Sequence, residues 1–312
     1  MRKTSWRVAQ ALAGLVIVVV LIRSFVANWH TVEDQPVQWQ IHWEYIGASL
    51  VITWAMYGVL IWGWRAVLAG WREQMRIVDA ARVWTISSLG KYIPGKIWSI
   101  AGMAMMSQRY GVSGSAATGS AIVMQLISLA TGAMLALALS GTDLLDRLAG
   151  GWGSIGAMAL AAVAILSAVA LTSPSLTRRV GFLLRRPDTV RPVDPSALAG
   201  ALFANLVAWA GYGVAFQLLA LGTMRDVQVS WTVATGAFAA SYIVGYLAIL
   251  LPGGLLVRET MLITLLTASG VELHTATALA VVSRIALTIN DIGAAAPFLL
   301  SRSKPRVLIN AS

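Results

Sequence analysis

Apolar positions in this chain run in long blocks separated by short polar loops, most of them basic. Blocks able to cross a bilayer, which takes about 20 helical residues, occupy 8–28, 44–68, 115–140, 153–172, 197–221 and 273–300. Two further apolar stretches, 83–108 and 231–269, are interrupted by Pro94-Gly95 and Pro252-Gly253-Gly254. Proline lacks the amide proton a helix needs and glycine loosens the backbone, so neither stretch is expected to continue as one helix. The first block follows Arg2, Lys3 and Arg7 and has no small-x-small cleavage site before Asn28, so it is expected to remain as a helix. The pattern predicts an all-α polytopic membrane protein with about six full transmembrane helices and two Pro-Gly-broken hairpins.

Loop charge sets the expected orientation, because short cytoplasmic loops are enriched in Lys and Arg. Basic clusters lie at the N-terminus, at Arg65, Arg72, Arg76 and Arg82, at Arg178, Arg179, Arg185, Arg186 and Arg191, and at Arg302, Lys304 and Arg306. These are assigned to the cytoplasmic side. The loops with Glu33 and Asp34, with Asp143, Asp146 and Arg147, and with Arg225 and Asp226 are assigned outside. Stretch 83–108 must then begin and end inside, and 231–269 must begin and end outside. Both are expected to be re-entrant and to enter from opposite faces, with their breaks 158 positions apart. Helix, broken hairpin, helix then occurs twice, as an inverted repeat of the secondary-transporter kind. The expected organisation is an N-terminal transmembrane helix and outer loop (1–43), a first repeat (44–172), a basic cytoplasmic linker (173–196), a second repeat (197–300) and a basic cytoplasmic tail (301–312). Both termini are expected in the cytoplasm, with the chain in the cytoplasmic membrane.

Composition agrees and removes several alternatives. The chain is 58% hydrophobic and 12% charged, with mean hydropathy +0.74, whereas an ordinary soluble domain carries about 25% charged residues. Its 312 residues leave room for about eight membrane segments and no separate catalytic domain. The net charge of +10 is scattered among loops, so nucleic acid is not an expected partner. There are no cysteines, and His30, His42 and His274 are far apart, so no thiol nucleophile, metal centre or cofactor is expected.

Gly90, Gly95 and Lys96 approach the phosphate-loop spacing, but Ile97 replaces the magnesium-binding hydroxyl, Pro94 removes an amide donor and no strand precedes. Lys91 and Lys96 remain as two ammonium groups beside a broken helix. They suit either an anionic headgroup or simple anchoring at the interface.

The run Leu89-Gly90-Lys91-Tyr92-Ile93-Pro94-Gly95-Lys96-Ile97-Trp98 resembles the GRYLPG-x-W element of the lysylphosphatidylglycerol synthase transmembrane-region family, also described as flippase-like integral membrane proteins. Pro252-Gly253-Gly254-Leu255-Leu256-Val257-Arg258-Glu259 resembles the same family's PGGLGVRE element. The resemblance spans roughly residues 44–300. It implies a membrane domain that moves a lipid, aminoacylated phosphatidylglycerol in the namesake and glycosylated polyprenyl phosphates in relatives. Two features depart from the family. The namesake's aminoacyl-transferase domain is not seen, so lysyl transfer is not implied, and Leu256 stands where the family has glycine.

Arg258 and Glu259 are charges at presumed bilayer depth, where each costs about 2.5–3.5 kcal/mol on insertion scales, so they are expected to face a partner or a cavity. As helix neighbours they diverge by about 100°, which is expected to keep them from sharing one partner. Arg284 and Asp291 lie seven apart on one face of the last helix. A Glu259–Arg284 pair is expected, with Arg258 left for an anionic substrate and Asp291 balancing either arginine; a purely structural ion-pair network is the alternative. Most of the 13 tryptophans lie near segment ends, as an aromatic belt does, with Trp98 the candidate for a cavity wall. The candidate substrate site is thus Lys91, Tyr92, Pro94, Gly95, Lys96, Trp98, Pro252, Gly253, Gly254, Arg258, Glu259, Arg284 and Asp291.

The expected function is non-enzymatic: translocation of an anionic phospholipid or polyprenyl-phosphate-linked sugar across the membrane. The rivals are a scaffold for an envelope lipid or glycan synthesis enzyme and, with only Glu259 and Asp291 acidic at depth, a membrane-embedded transferase acting on lipid phosphates.

Overall fold

The computed structural model describes residues 37–93, 97–140, 151–183, 192–225, 227–248 and 251–301. Among them there are helices and no strands, apart from an isolated bridge between Trp39 and Met224. The helices are α1 (Trp43–Gly70), α2 (Ile77–Ser88), α3 (Ile97–Ser107), α4 (Gly114–Ser140), α5 (Gly153–Ala170), α6 (Pro174–Leu183), α7 (Pro195–Thr223), α8 (Trp231–Leu247), α9 (Val257–Ala268) and α10 (Leu273–Leu300). Short 3-10 turns, Leu89–Tyr92 and Pro252–Gly254, stand at the two interruptions.

Four of these helices, α1, α4, α7 and α10, are long and apolar enough to cross a membrane. This is a multi-pass membrane protein. Of the six spans expected from the sequence, 8–28 lies outside the described residues, and 153–172 forms α5, which is apolar but shorter than the four. The linker read from the sequence as a loop contains a ten-residue helix, α6, with Arg178 and Arg179 exposed. Pro174 opens that helix, and proline is well suited to a first turn because the amide it lacks has no partner there.

Local chemistry sets other helix ends. Asp194 caps α7 by accepting from the Ser196 amide at 2.8 Å, and Pro195 follows at the first helical position. Ser230 caps α8 by accepting from the Val233 amide at 3.3 Å.

The most extensive packing joins α1 to α7. They run antiparallel: Ile46 lies by Gly222, Ser49 Oγ donates to the Ala215 carbonyl, and Gly63 and Gly70 meet Ala204 and Ala197. A Cβ on Gly63 would stand 2.7 Å from the Ala204 methyl, so small residues let the backbones close in where lipid gives helices no hydrophobic reason to associate.

Two helical hairpins fill the space between the long helices. In the first, Gly90 lies against Ser99 and Gly102 against Ser87, the register of an antiparallel α2–α3 pair. Its feet meet where the Ser113 amide donates to Glu73 Oε1 at 3.3 Å, so it returns to the end it left. In the second, α8 runs antiparallel to α7, with Gln217 Nε2 donating to the Val229 carbonyl, and α9 packs back on α8. The two tips, Leu89–Tyr92 and Pro252–Gly254, touch each other.

The packing is paired across the halves. The long helices α1 and α7 have 28 and 29 residues, and α4 and α10 have 27 and 28. Helix α4 packs on the second hairpin through α8, and α10 packs on the first through α2. Arg82 of α2 fastens the latter contact, donating to the Phe298 carbonyl at 2.7 Å and to Ser301 Oγ at 2.6 Å.

Candidate functional site

A cavity of about 250 Å³ opens beside the two hairpin tips. Its walls come from both hairpins and all four long helices, and among the described residues four charged side chains line it, Lys91, Arg258, Arg284 and Asp291, while Glu259 contacts both arginines from outside the lining.

Asp291 joins the first tip to α10. Its side chain is 2% exposed and accepts from Lys91 Nζ at 2.6 Å, from the Tyr92 hydroxyl at 2.6 Å and from the Tyr57 hydroxyl at 2.8 Å. Charge-assisted contacts of this kind are the strong ones, so tip, α1 and α10 are held at one point.

Glu259 joins the second tip to α10. It stands in the first turn of α9, where a carboxylate suits the positive helix end, and its Oε2 accepts from the Leu256 amide at 2.8 Å. Its Oε1 lies 3.3 Å from Arg258 Nη1 and 3.4 Å from Arg284 Nη1. Arg284 also donates to the Gly253 carbonyl at 2.9 Å, and the Arg258 guanidinium lies 5.2 Å from the centre of the Phe238 ring.

Three cations thus face two carboxylates, leaving one surplus positive charge. Four buried nitrogens on cavity-lining residues have no hydrogen-bond partner: Gln125 Nε2, Arg258 Nε, Arg258 Nη2 and Arg284 Nε. All four are donors. Leaving a buried donor unmet costs about 1–3 kcal/mol, more where the group is charged.

The sequence profile of the family described as lysylphosphatidylglycerol synthase TM region matches residues 10–291. The chain belongs to this family. No curated protein matches the chain in sequence. In this member of the lysylphosphatidylglycerol synthase TM region family, both resembling elements end at the cavity, one supplying Lys91 and Tyr92 and the other Gly253 and Arg258.

The expected Glu259–Arg284 pair is present. Among the described residues Arg258 and Glu259 have no third partner in common, as expected, but they also pair with each other: the long arginine side chain folds back to the Glu259 oxygen that Arg284 reaches, so Arg258 is not left free for a substrate alone. Asp291 balances neither arginine; its partners are Lys91, Tyr57 and Tyr92. Lys91 is accordingly an ion-pair member rather than an interface anchor. Trp98 is not among the cavity-lining residues, whereas its neighbours Ser99 and Ile100 are. Pro94, Gly95 and Lys96 lie outside the described residues.

Pro252 belongs to the second tip's 3-10 turn. Gly253 and Gly254 both have positive φ, 55° and 68°, and a Cβ on Gly254 would stand 2.5 Å from the Gly245 carbonyl oxygen. Leu256, where the family has glycine, also has positive φ, 68°, so this chain places a branched side chain in a backbone region that favours glycine.

Sequence reasoning missed Tyr57, Tyr212, Tyr242, Trp209 and Gln125, all of which line the cavity. A usable signal existed: Tyr57 and Tyr212 are interior to long apolar helices, away from the ends where an aromatic belt would place them.

Proposed function

We propose that this protein translocates a lipid bearing an anionic headgroup, a phospholipid or a polyprenyl-phosphate-linked sugar, between the leaflets of the cytoplasmic membrane. One observation carries the reading: the cavity's orphaned buried side-chain atoms are all hydrogen-bond donors, in a surround with one surplus positive charge. A phosphate offers several acceptor oxygens and a negative charge, which answers both. Acyl or prenyl chains remain in the bilayer while the headgroup passes between the tips. In this reading the two halves form an inverted repeat, the hairpins are re-entrant from opposite faces, and both termini are cytoplasmic; the paired packing and the meeting of the two tips support it. The domain boundaries at 43, 172, 196 and 300 belong to this reading, as does the absence of catalysis.

Leaflet exchange of a fluorescent phosphatidylglycerol, and separately of a short polyprenyl-phosphate sugar, is followed in proteoliposomes. Wild type should accelerate one of them over empty liposomes, and Arg258→Ala should remove most of the gain. Gln125→Leu disturbs no ion pair and should slow exchange several-fold while the protein stays folded. Wild-type exchange equal to that of empty liposomes for both lipids overturns the proposal and favours the scaffold, which a deletion strain fully complemented by Arg258→Ala would support.

A further inference from the structure

A second, much smaller cavity lies against the first. Its volume is about 20 Å³, room for one water-sized occupant, and Tyr212, Phe238 and Leu287 wall both spaces. Ser49 and Thr53 of α1 and Ser283 and Asn290 of α10 line it, and each is 4% exposed or less.

The three hydroxyl protons and one of the two Asn290 amide protons are already committed. Ser49 Oγ donates to the Ala215 carbonyl at 2.6 Å, and Thr53 Oγ1 to the Ser49 carbonyl at 2.9 Å. Ser283 Oγ donates to the Ala280 carbonyl at 2.8 Å, and Asn290 Nδ2 to the Ala286 carbonyl at 3.1 Å. What they retain is lone pairs and one Asn290 N–H, and Asn290 Oδ1 is buried with no partner at all. The amide orientation follows from the bond to Ala286, since exchanging O and N would set two oxygens against each other. The larger cavity therefore holds orphaned donors, and the smaller one holds an orphaned acceptor among spare oxygens.

We propose that the smaller cavity is a site for a small monovalent cation, Na⁺ being the reference case, with Ser49, Thr53, Ser283 and Asn290 as its oxygen ligands. Neutral oxygens without nitrogen or sulfur suit hard cations. No carboxylate lines the space, so a divalent ion would bring two charges with nothing to offset them. A single charge is easier to hold, with the rings of Phe216, Phe238 and Tyr212 in the wall and Asp291 adjacent in sequence to Asn290. A water molecule is the rival occupant. It would satisfy two of the lone pairs and could accept from the Tyr212 hydroxyl or from the second N–H of Asn290, so salt dependence has to separate the two.

The surplus positive charge next door opposes the cation until an anion enters the larger cavity. Cation and anion should then bind cooperatively, each raising the other's affinity by the same factor. That coupling rests on the proposed lipid-anion reading, whereas the cation site does not.

The test uses the full chain in phosphatidylcholine nanodiscs. Thermal stability and ²³Na line width are measured in NaCl, KCl and choline chloride at equal ionic strength. The expected result is a saturable rise in Tm and line broadening with Na⁺, little effect of K⁺ and none of choline. Asn290→Leu should abolish the Na⁺ effect, and Ser283→Ala, a milder change kept in case Asn290→Leu folds poorly, should weaken Na⁺ affinity about tenfold. Equal Tm in all three salts for wild type, or an undiminished Na⁺ response in Ser283→Ala and Asn290→Leu, overturns the proposal and leaves a site for water only. Adding glycerol phosphate should raise Na⁺ affinity several-fold. If Na⁺ binds and this increase is missing, the lipid-anion reading fails while the cation site stands.

Discussion

Removing Lys91 should hurt the protein more than removing the charge of its partner, although both changes break the same ion pair. Asp291 is the buried member, 2% exposed against 36% for Lys91. Lys91→Met leaves a buried carboxylate with two neutral hydroxyl donors, Tyr57 and Tyr92, and no counter-charge. Stripping one partner from a buried pair costs about 3–5 kcal/mol. Asp291→Asn keeps an acceptor for Tyr57 and leaves a lysine whose side chain is 36% exposed. The loss is then one charge-assisted contact of about 1.5–3 kcal/mol, taken at its lower end because the lysine is partly solvated. The gap between the two variants should be about 1–3 kcal/mol. The double variant removes both charges and should be more stable than Lys91→Met alone. Unfolding in mixed micelles, followed by tryptophan fluorescence for all four proteins, gives the cycle. The reasoning fails if Asp291→Asn is the worse single change, or if the double variant loses the plain sum of the two.

Gly254→Ala should cost about 2 kcal/mol or more, because its Cβ would meet backbone at 2.5 Å and its φ is 68°; the yield of monodisperse protein reports it. Gly90→Ala should act similarly on the first tip, where a Cβ would stand 2.7 Å from the Ser99 amide nitrogen, and the same yield assay applies. Leu256→Gly should be neutral or stabilising, unlike a usual Leu→Gly change, since it releases a strained φ of 68° worth about 1 kcal/mol at a side chain 45% exposed; thermal unfolding checks it. Asp194 is held below the ordinary carboxylate range by its bonds from the Ser196 hydroxyl and amide. A depressed folded value means its capping support is intact at neutral pH and is lost as pH falls through that value, so Asp194→Ala should flatten the acid limb of a stability profile.

The long helices and the two interruptions were legible because length of apolar run and Pro-Gly placement are local properties. The Glu259–Arg284 pair was also legible, since expensive charges in an apolar setting have few places to go. The Lys91–Asp291 pair was not, because which cation a carboxylate meets depends on how the first tip docks against α10, a contact 200 positions apart in the chain. The Arg258–Glu259 contact was not legible either: neighbours on a helix diverge by about 100°, but an arginine is long enough to bend back over one residue. The tyrosines of the cavity escaped because aromatic residues were read by their number and position near segment ends rather than by the few that lie inside.

Counted from the helix starts, the twelfth and nineteenth residues of α10 are Arg284 and Asp291, and those of its counterpart α4 are Gln125 and Gly132. Helices of nearly equal length thus differ in charge at the same positions. Gly132 is covered by Trp209 and Ile243, and Gln125 brings an amide where α10 brings a guanidinium. The charged groups of the cavity are therefore gathered on the side of α10 and the two tips, away from α4. Because α10 grips both tips through Asp291 and Arg284, a small rotation of this one rod would displace both tips and the ion pairs between them in a single movement.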